Sequence, residues 1–162
     1  MSEWCRFEAP GRVSCLVVAS EAGIRAIEFH GQPDESTPEG PSNPLLGEAV
    51  DQLHAYFAGE LREFDLPLDF QGTDFQKRVW RELLNIPYGR TCSYSHVAAA
   101  IGAPAAVRAV GAANGRNPIP IVVPCHRVIG RGGSLVGYGG GLPLKRFLLD
   151  LETRYGQLFQ QA

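Results

Sequence analysis

Charge is distributed along this chain in a way that favours two modules over one. Residues 1–70 carry 13 acids and 4 bases, a net of −9, whereas residues 71–149 carry 2 acids (Asp74, Glu82) and 10 bases, a net of +8. The stretch 150–162 adds 2 acids and 1 base, so the chain as a whole is only −2. Opposite charges of that size on consecutive halves predict two modules with different partners, the second facing an anion. Chance clustering of solvated charge is the plainer alternative. A length of 162 residues with 44% hydrophobic residues can bury a core without disulfides or a structural metal. The same composition excludes a collagen, a coiled coil, a disulfide scaffold and a wholly disordered chain. No apolar run reaches the roughly 20 residues of a membrane helix, and MSEWCRFEAP lacks the basic and apolar regions of a secretory leader.

The first 30 residues read as β structure. Val13–Ala19 and Gly23–Phe29 form a hairpin pair joined at Ser20–Gly23. Residues 31–43, GQPDESTPEGPSN, are rich in proline, glycine and acids and are expected to be a mobile loop. Leu46, Val50, Leu53 and Phe57 recur at helical spacing, and LPLDF at 66–70 is a short strand candidate. The expected N-terminal module is therefore a small sheet plus a helix, residues 1–71.

A second module, mainly α and spanning 72–155, opens on a capping box. Thr73 can accept from the Gln76 amide while the glutamine side chain reaches back. Phe75, Val79, Leu83 and Ile86 follow down one face until Pro87-Tyr88-Gly89 stops the helix. Ser93–Ile101 and Ala105–Ala113 are two further helices, with Gly102-Ala103-Pro104 between them and Pro104 suited to the first helical position. Together they make a helix-turn-helix pattern. The second of the pair is nearly bare: Ala105, Ala106, Ala109, Gly111, Ala112 and Ala113 surround one long side chain, Arg108. Such a helix either packs tightly against a neighbour or enters a narrow groove with the arginine leading. A final helix carries Leu144, Phe147, Leu148 and Leu151, and the tail from 156 to 162 is expected to fray.

Between the bare helix and the last one lies a proline-punctuated apolar run, Asn117 to Val128, that delivers Cys125 and His126. A thiol with a pKa of about 8.5 is mostly protonated at neutral pH, and a histidine can accept its proton. On an extended strand adjacent side chains point to opposite faces, so the pair needs a turn or a bridging water to communicate. That spacing fits a cysteine hydrolase poorly, and a buried inert thiol is the competing reading. Cys5, Cys15, Cys92 and Cys125 form no C-x-x-C pair, and the four histidines lack ligand spacing.

The segment IVVPCHRVIG, residues 121–130, resembles the active-site signature of the O6-alkylguanine-DNA alkyltransferase family. GTDFQKRVW (72–80), IPYG (86–89), TCSY (91–94), RAVGAAN (108–114), Asn117-Pro118 and GYGGG (137–141) resemble further blocks of that family in the same order. The likeness is strong over 72–152 and weak over 1–71.

The resemblance implies a direct-reversal repair protein that moves an alkyl group from guanine O6 in DNA, with thymine O4 a second candidate, to Cys125, once per molecule. It implies that His126 takes the thiol proton through a water, that Glu152 orients the histidine, and that Asn117 shapes the surrounding loop. Tyr94 would donate to a flipped base, and Arg108 would fill the gap the base leaves. Ser95 and Arg131 would contact DNA. Main-chain groups near Cys125, Val128 and Gly139, with Tyr138, would hold the guanine. The implied partner is double-stranded DNA carrying O6-alkylguanine, bound by a cytoplasmic monomer, with room for cooperative binding on DNA and no membrane association. Some relatives bind zinc in the first module through two cysteines and two histidines. Cys5 is present here, but Ser20 and Arg25 stand at what look like the next ligand positions, so neither a metal nor any cofactor is expected. The alternatives are a non-catalytic alkylguanine-binding protein, which would replace Cys125, and a helix-turn-helix regulator with an inert cysteine.

Overall fold

The computed structural model describes residues 2–10, 13–33, 39 and 43–161. Most of the expected 31–43 loop lies outside the described residues. Contacts divide the chain into two compact units, Met1–Gln71 and Gly72–Ala162.

The first unit is a three-stranded antiparallel sheet covered by one helix. Strands β1 (Glu3–Ala9), β2 (Val13–Ala19) and β3 (Ile24–Phe29) lie in the order β1-β2-β3. A register shift at Val18/Ala19 accommodates the turn into β3. Helix α1 (Pro44–Phe57) starts where Asn43 accepts from the Leu45 amide at 3.0 Å. Its face of Leu46, Ala49, Leu53 and Tyr56 is buried, and Phe57 stacks on Phe7 with ring centroids 5.9 Å apart. The expected strand over 66–70 is reduced to a single parallel bridge between Leu68 and Ile24. Pro67 has no amide to donate and interrupts the ladder, leaving Ile24 N–H to Pro67 O and Asp69 N–H to Ile24 O, both 2.8 Å.

The second unit contains helices α2 (Asp74–Leu83), α3 (Tyr94–Ala100), α4 (Val107–Gly115) and α5 (Leu142–Gln161). Two short parallel strands, β4 (Cys92–Ser93) and β5 (Val128–Ile129), join chain segments far apart in sequence. The capping box of Thr73 and Gln76 forms at the start of α2 with both reciprocal bonds. Gly72 is required just before it, because a Cβ there would meet the Trp80 ring at 2.6 Å. Trp80 is buried and donates its indole N–H to Ala113 O at 2.8 Å, tying α2 to α4. Arg78 donates to Ile101 O at the end of α3.

Two helix boundaries differ from expectation. The break between α3 and α4 spans 101–106, longer than the Gly102–Pro104 interruption. Helix α4 therefore begins at Val107, with Pro104 in the preceding turn, not at its first position. The backbone of α5 continues to Gln161 where fraying from 156 was expected. The fold class agrees with expectation: a small sheet with a helix, then a mainly helical unit. Among the described residues no helix is long and apolar enough to cross a membrane.

Candidate functional site

The apolar run before Cys125 is buried from Ile119 through Val128. It is not extended. Val123 N–H returns to Ile119 O at 2.9 Å, and Ile121 sits in the left-handed region at φ 74°. A β-branched residue there is strained by about 1–3 kcal/mol and needs support. Asn117 supplies it: the side chain accepts from Ile119 N–H at 3.0 Å and donates to Val123 O at 2.7 Å.

Cys125, His126 and Arg127 then form a 3-10 turn, not a strand. The turn removes the opposite-face geometry that separates neighbours on a strand. Cys125 is 5% exposed and His126 fully buried. Burial pushes the thiol up to about 11, against the Asn117 amide and the Lys145 ammonium, which favour the thiolate. The sulfur alone is thus a thiol at neutral pH and needs a base.

His126 Nε2 lies 2.7 Å from Glu152 Oε2, whereas Nδ1 has no hydrogen-bond partner among the described residues. A neutral ring that donates from Nε2 leaves the Nδ1 lone pair as the acceptor. Burial, with Arg127 and Lys145 adding to it, holds the imidazole below the usual histidine range despite Glu152. Glu152 is held well below the ordinary carboxylate range, because bonds and charge from His126 and Arg127 outweigh its burial.

Four donors converge on this one carboxylate: His126 Nε2, Arg127 Nε at 2.8 Å, Arg127 Nη2 at 3.0 Å and the Gly89 amide at 3.2 Å. Gly89 can aim its amide there because it adopts φ 75°.

Tyr94, the first residue of α3, donates to Val136 O at 3.3 Å. Its phenol is raised by burial and by the neighbouring Cys125 sulfur, with Asn114 opposing. The structure therefore brings together Cys125, His126, Glu152, Asn117 and Tyr94. Val128 continues from the turn into β5, and its carbonyl already accepts from Lys145 Nζ at 2.8 Å. Ser95 on α3, Arg108 on α4, and Arg131 and Gly139 in the glycine-rich loop are exposed, while Tyr138 is half-buried. They line the surface of this unit and not the buried relay. The bare helix is two-faced: Val110, Ala113 and Asn114 pack inward while Arg108, Ala109 and Ala112 remain exposed.

Three side chains of the site escaped the sequence reading. Arg127 and Lys145 are buried, and Asn114 donates to Cys125 O at 3.4 Å. A signal existed for one of them, Lys145. Lys145 and Glu152, seven residues apart, fall in the apolar stripe of Leu144, Leu148 and Leu151, where a charged residue needs a buried partner.

Comparison with known proteins agrees with this architecture. Residues 14–70 match the family model for the ribonuclease-like domain of 6-O-methylguanine DNA methyltransferase, and residues 74–154 match the model for its DNA binding domain. Fold and site thus define a two-module methyltransferase architecture with a buried thiol. The methylated-DNA–protein-cysteine methyltransferase of Mycobacterium tuberculosis is 69% identical over 129 residues, covering 80% of this chain and 78% of the relative. The constitutive enzyme of that name from Bacillus subtilis is 55% identical over 115 residues, covering 70% of each. A crystal structure of the Mycobacterium tuberculosis protein OGT in complex with DNA superposes with a TM-score of 0.84 at 49% identity, covering 94% of both chains. The chain belongs to the O6-methylguanine-DNA methyltransferase family.

Proposed function

We propose that this protein repairs alkylated DNA directly, moving the alkyl group from guanine O6 to the sulfur of Cys125. The observation that carries the reading is the buried Cys125 thiol beside a histidine whose far nitrogen is fixed by Glu152 at 2.7 Å. The thiol proton passes to His126 Nδ1 through a water, and the thiolate attacks the alkyl carbon in line. A sulfur–carbon bond forms as the carbon–O6 bond breaks. Guanine leaves with a proton as the ordinary lactam, so the products are guanine and S-alkylcysteine and no co-reactant is needed. Nothing in the site could cleave the thioether, so each molecule acts once.

The O6 position is hidden inside the duplex, and the base must be extruded at a cost of a few kcal/mol. Helices α3 and α4 act as a helix-turn-helix whose slim exposed face enters the minor groove, and Arg108 takes the place of the extruded base. Tyr94 offsets charge developing on the departing guanine. Ser95 and Arg131 contact the DNA, while main-chain groups near Val128 and Gly139, with Tyr138, hold the base. A reaction on chromosomal DNA places this monomer in the cytoplasm.

The test is to incubate the protein with an oligonucleotide bearing O6-methylguanine and weigh both products. The expected result is unmodified guanine in the DNA and one added methylene on the Cys125 peptide. Cys125→Ala should bind the duplex as the wild type does and transfer nothing; transfer persisting in that variant would refute the assignment.

A further inference from the structure

The acceptor mechanism above needs a histidine that is neutral at rest, and the burial of Glu152 against it works in the opposite direction. A buried carboxylate with only an imidazole beside it lowers its energy by placing a proton on the ring, giving a neutral ion pair. An imidazolium cannot take the proton of Cys125. The structure contains a counterweight. Arg127 is 6% exposed and Glu152 1%. The guanidinium approaches the carboxylate side-on, Nε to Oε1 at 2.8 Å and Nη2 to Oε2 at 3.0 Å, so Oε2 is shared with His126. Its remaining nitrogen, Nη1, donates to Ile86 O at 2.7 Å, and the group lies 5.7 Å above the Tyr88 ring centroid. The guanidinium is thus held at three points: Glu152, Ile86 and Tyr88.

We propose that Arg127 is a positioning residue of this relay: by taking both oxygens of Glu152 it lets the carboxylate orient the His126 ring without drawing a second proton onto it. With Arg127 and Glu152 charged, the hydrogen-bonded trio of Arg127, Glu152 and His126 is neutral only while the imidazole is neutral. Remove the arginine, and the remaining Glu152–His126 pair is neutral only once the imidazole is protonated. The other groups facing His126 do not reverse this. Lys145, from α5, is a second cation that disfavours the imidazolium, but its ammonium donates to Val128 O and Val136 O, so it reinforces Arg127 from outside the trio. Cys125, in the same turn, is a thiol at rest, and Tyr88, from the loop after α2, is an un-ionised phenol at neutral pH with its pKa pushed up to about 12.

The inference rests on the alkyl-transfer reading, and the experiment separates the two. Single-turnover transfer to Cys125 is followed from pH 5.5 to 9 in the wild type, Arg127→Met and Arg127→Lys, with His126 ring nitrogens titrated by NMR in parallel. The wild type should show a neutral ring carrying its proton on Nε2 at pH 7. In Arg127→Met the acid limb should move up by about one pH unit or more, so that transfer falls about tenfold near pH 6 and recovers by pH 9. Arg127→Lys keeps the charge and should keep the wild-type limb at a lower rate. A loss of equal factor at every pH in Arg127→Met would mean a merely structural arginine and would overturn the proposal. So would an imidazolium at pH 7 in the wild type, which needs no variant to fold. A wild type that acquires no alkyl group would sink the alkyl-transfer reading instead, leaving the ring titration as the measure of Arg127.

Discussion

The side chains around the sulfur show titration behaviour that the fold must sustain. Glu152 is depressed, so its folded form holds its charge where the unfolded chain near 4.5 gives it up; that stabilisation is present above this pH and lost as pH falls. His126 is also depressed, so an unfolded histidine takes a proton near 6.5 that the folded one refuses, and stability declines as pH drops through that value. Cys125 is raised from 9.0 to about 11, so its contribution is complete below 9.0 and is lost as pH rises toward 11. Urea unfolding across pH should therefore show greatest stability between about 6.5 and 9. Glu152→Gln leaves Arg127 buried without its counter-ion and should cost about 3–5 kcal/mol at pH 7 while flattening the acid limb. An unchanged acid limb in that variant would assign the effect elsewhere. At this scale Cys125, His126, Glu152, Asn117 and Tyr94 could be named from the resemblance alone. Arg127 stood inside the quoted signature without a role, because only the turn at 125–127 and the packing of α5 bring its guanidinium to Glu152.

Secondary-structure elements were legible where the signal is local. The capping box and the α1 periodicity need only neighbouring residues, and both are found in the structure. What sequence could not supply was set at a distance. The 66–70 segment meets the sheet through its bridge to Ile24 and through Ser20, which donates to Asp69 at 2.6 Å. The Cys-His pair leaves the extended state because Asn117 and the Ile121 turn fold the chain back on itself. The start of α4 moves because residues 103–106 form their own turn, Ala106 N–H to Ala103 O at 2.9 Å. The packing reading of α4 holds for its Val110, Ala113 and Asn114 face, and the groove-entry reading concerns the face left exposed. Its exposed face gives the prediction for this scale. Arg108→Ala should slow alkyl transfer at least about tenfold, a loss of roughly 1.4 kcal/mol in the transition state, while duplex affinity changes less. Equal effects on rate and on affinity, measured by single-turnover kinetics beside fluorescence anisotropy, would make Arg108 an ordinary phosphate contact.

Across the whole molecule, the sign of the charge changes where the two compact units meet in sequence. Residues 72–162 hold 11 bases and 4 acids, and of these bases Arg127 and Lys145 are committed to the interior. The remaining cations define an affinity for polyanions that displaces counterions, so binding to unmodified duplex should weaken at least tenfold between about 50 and 200 mM salt, linearly on a log–log plot. A salt-independent affinity would remove electrostatics from the account. The parallel ladder of β4 and β5 carries a further implication. It couples Cys92 to Val128 and Ser93 to Ile129, immediately before Tyr94 and shortly after Cys125. The phenol and the sulfur are thereby mounted on one backbone chassis. On the proposed reaction, a displacement of the helix pair would be transmitted through this ladder to the sulfur.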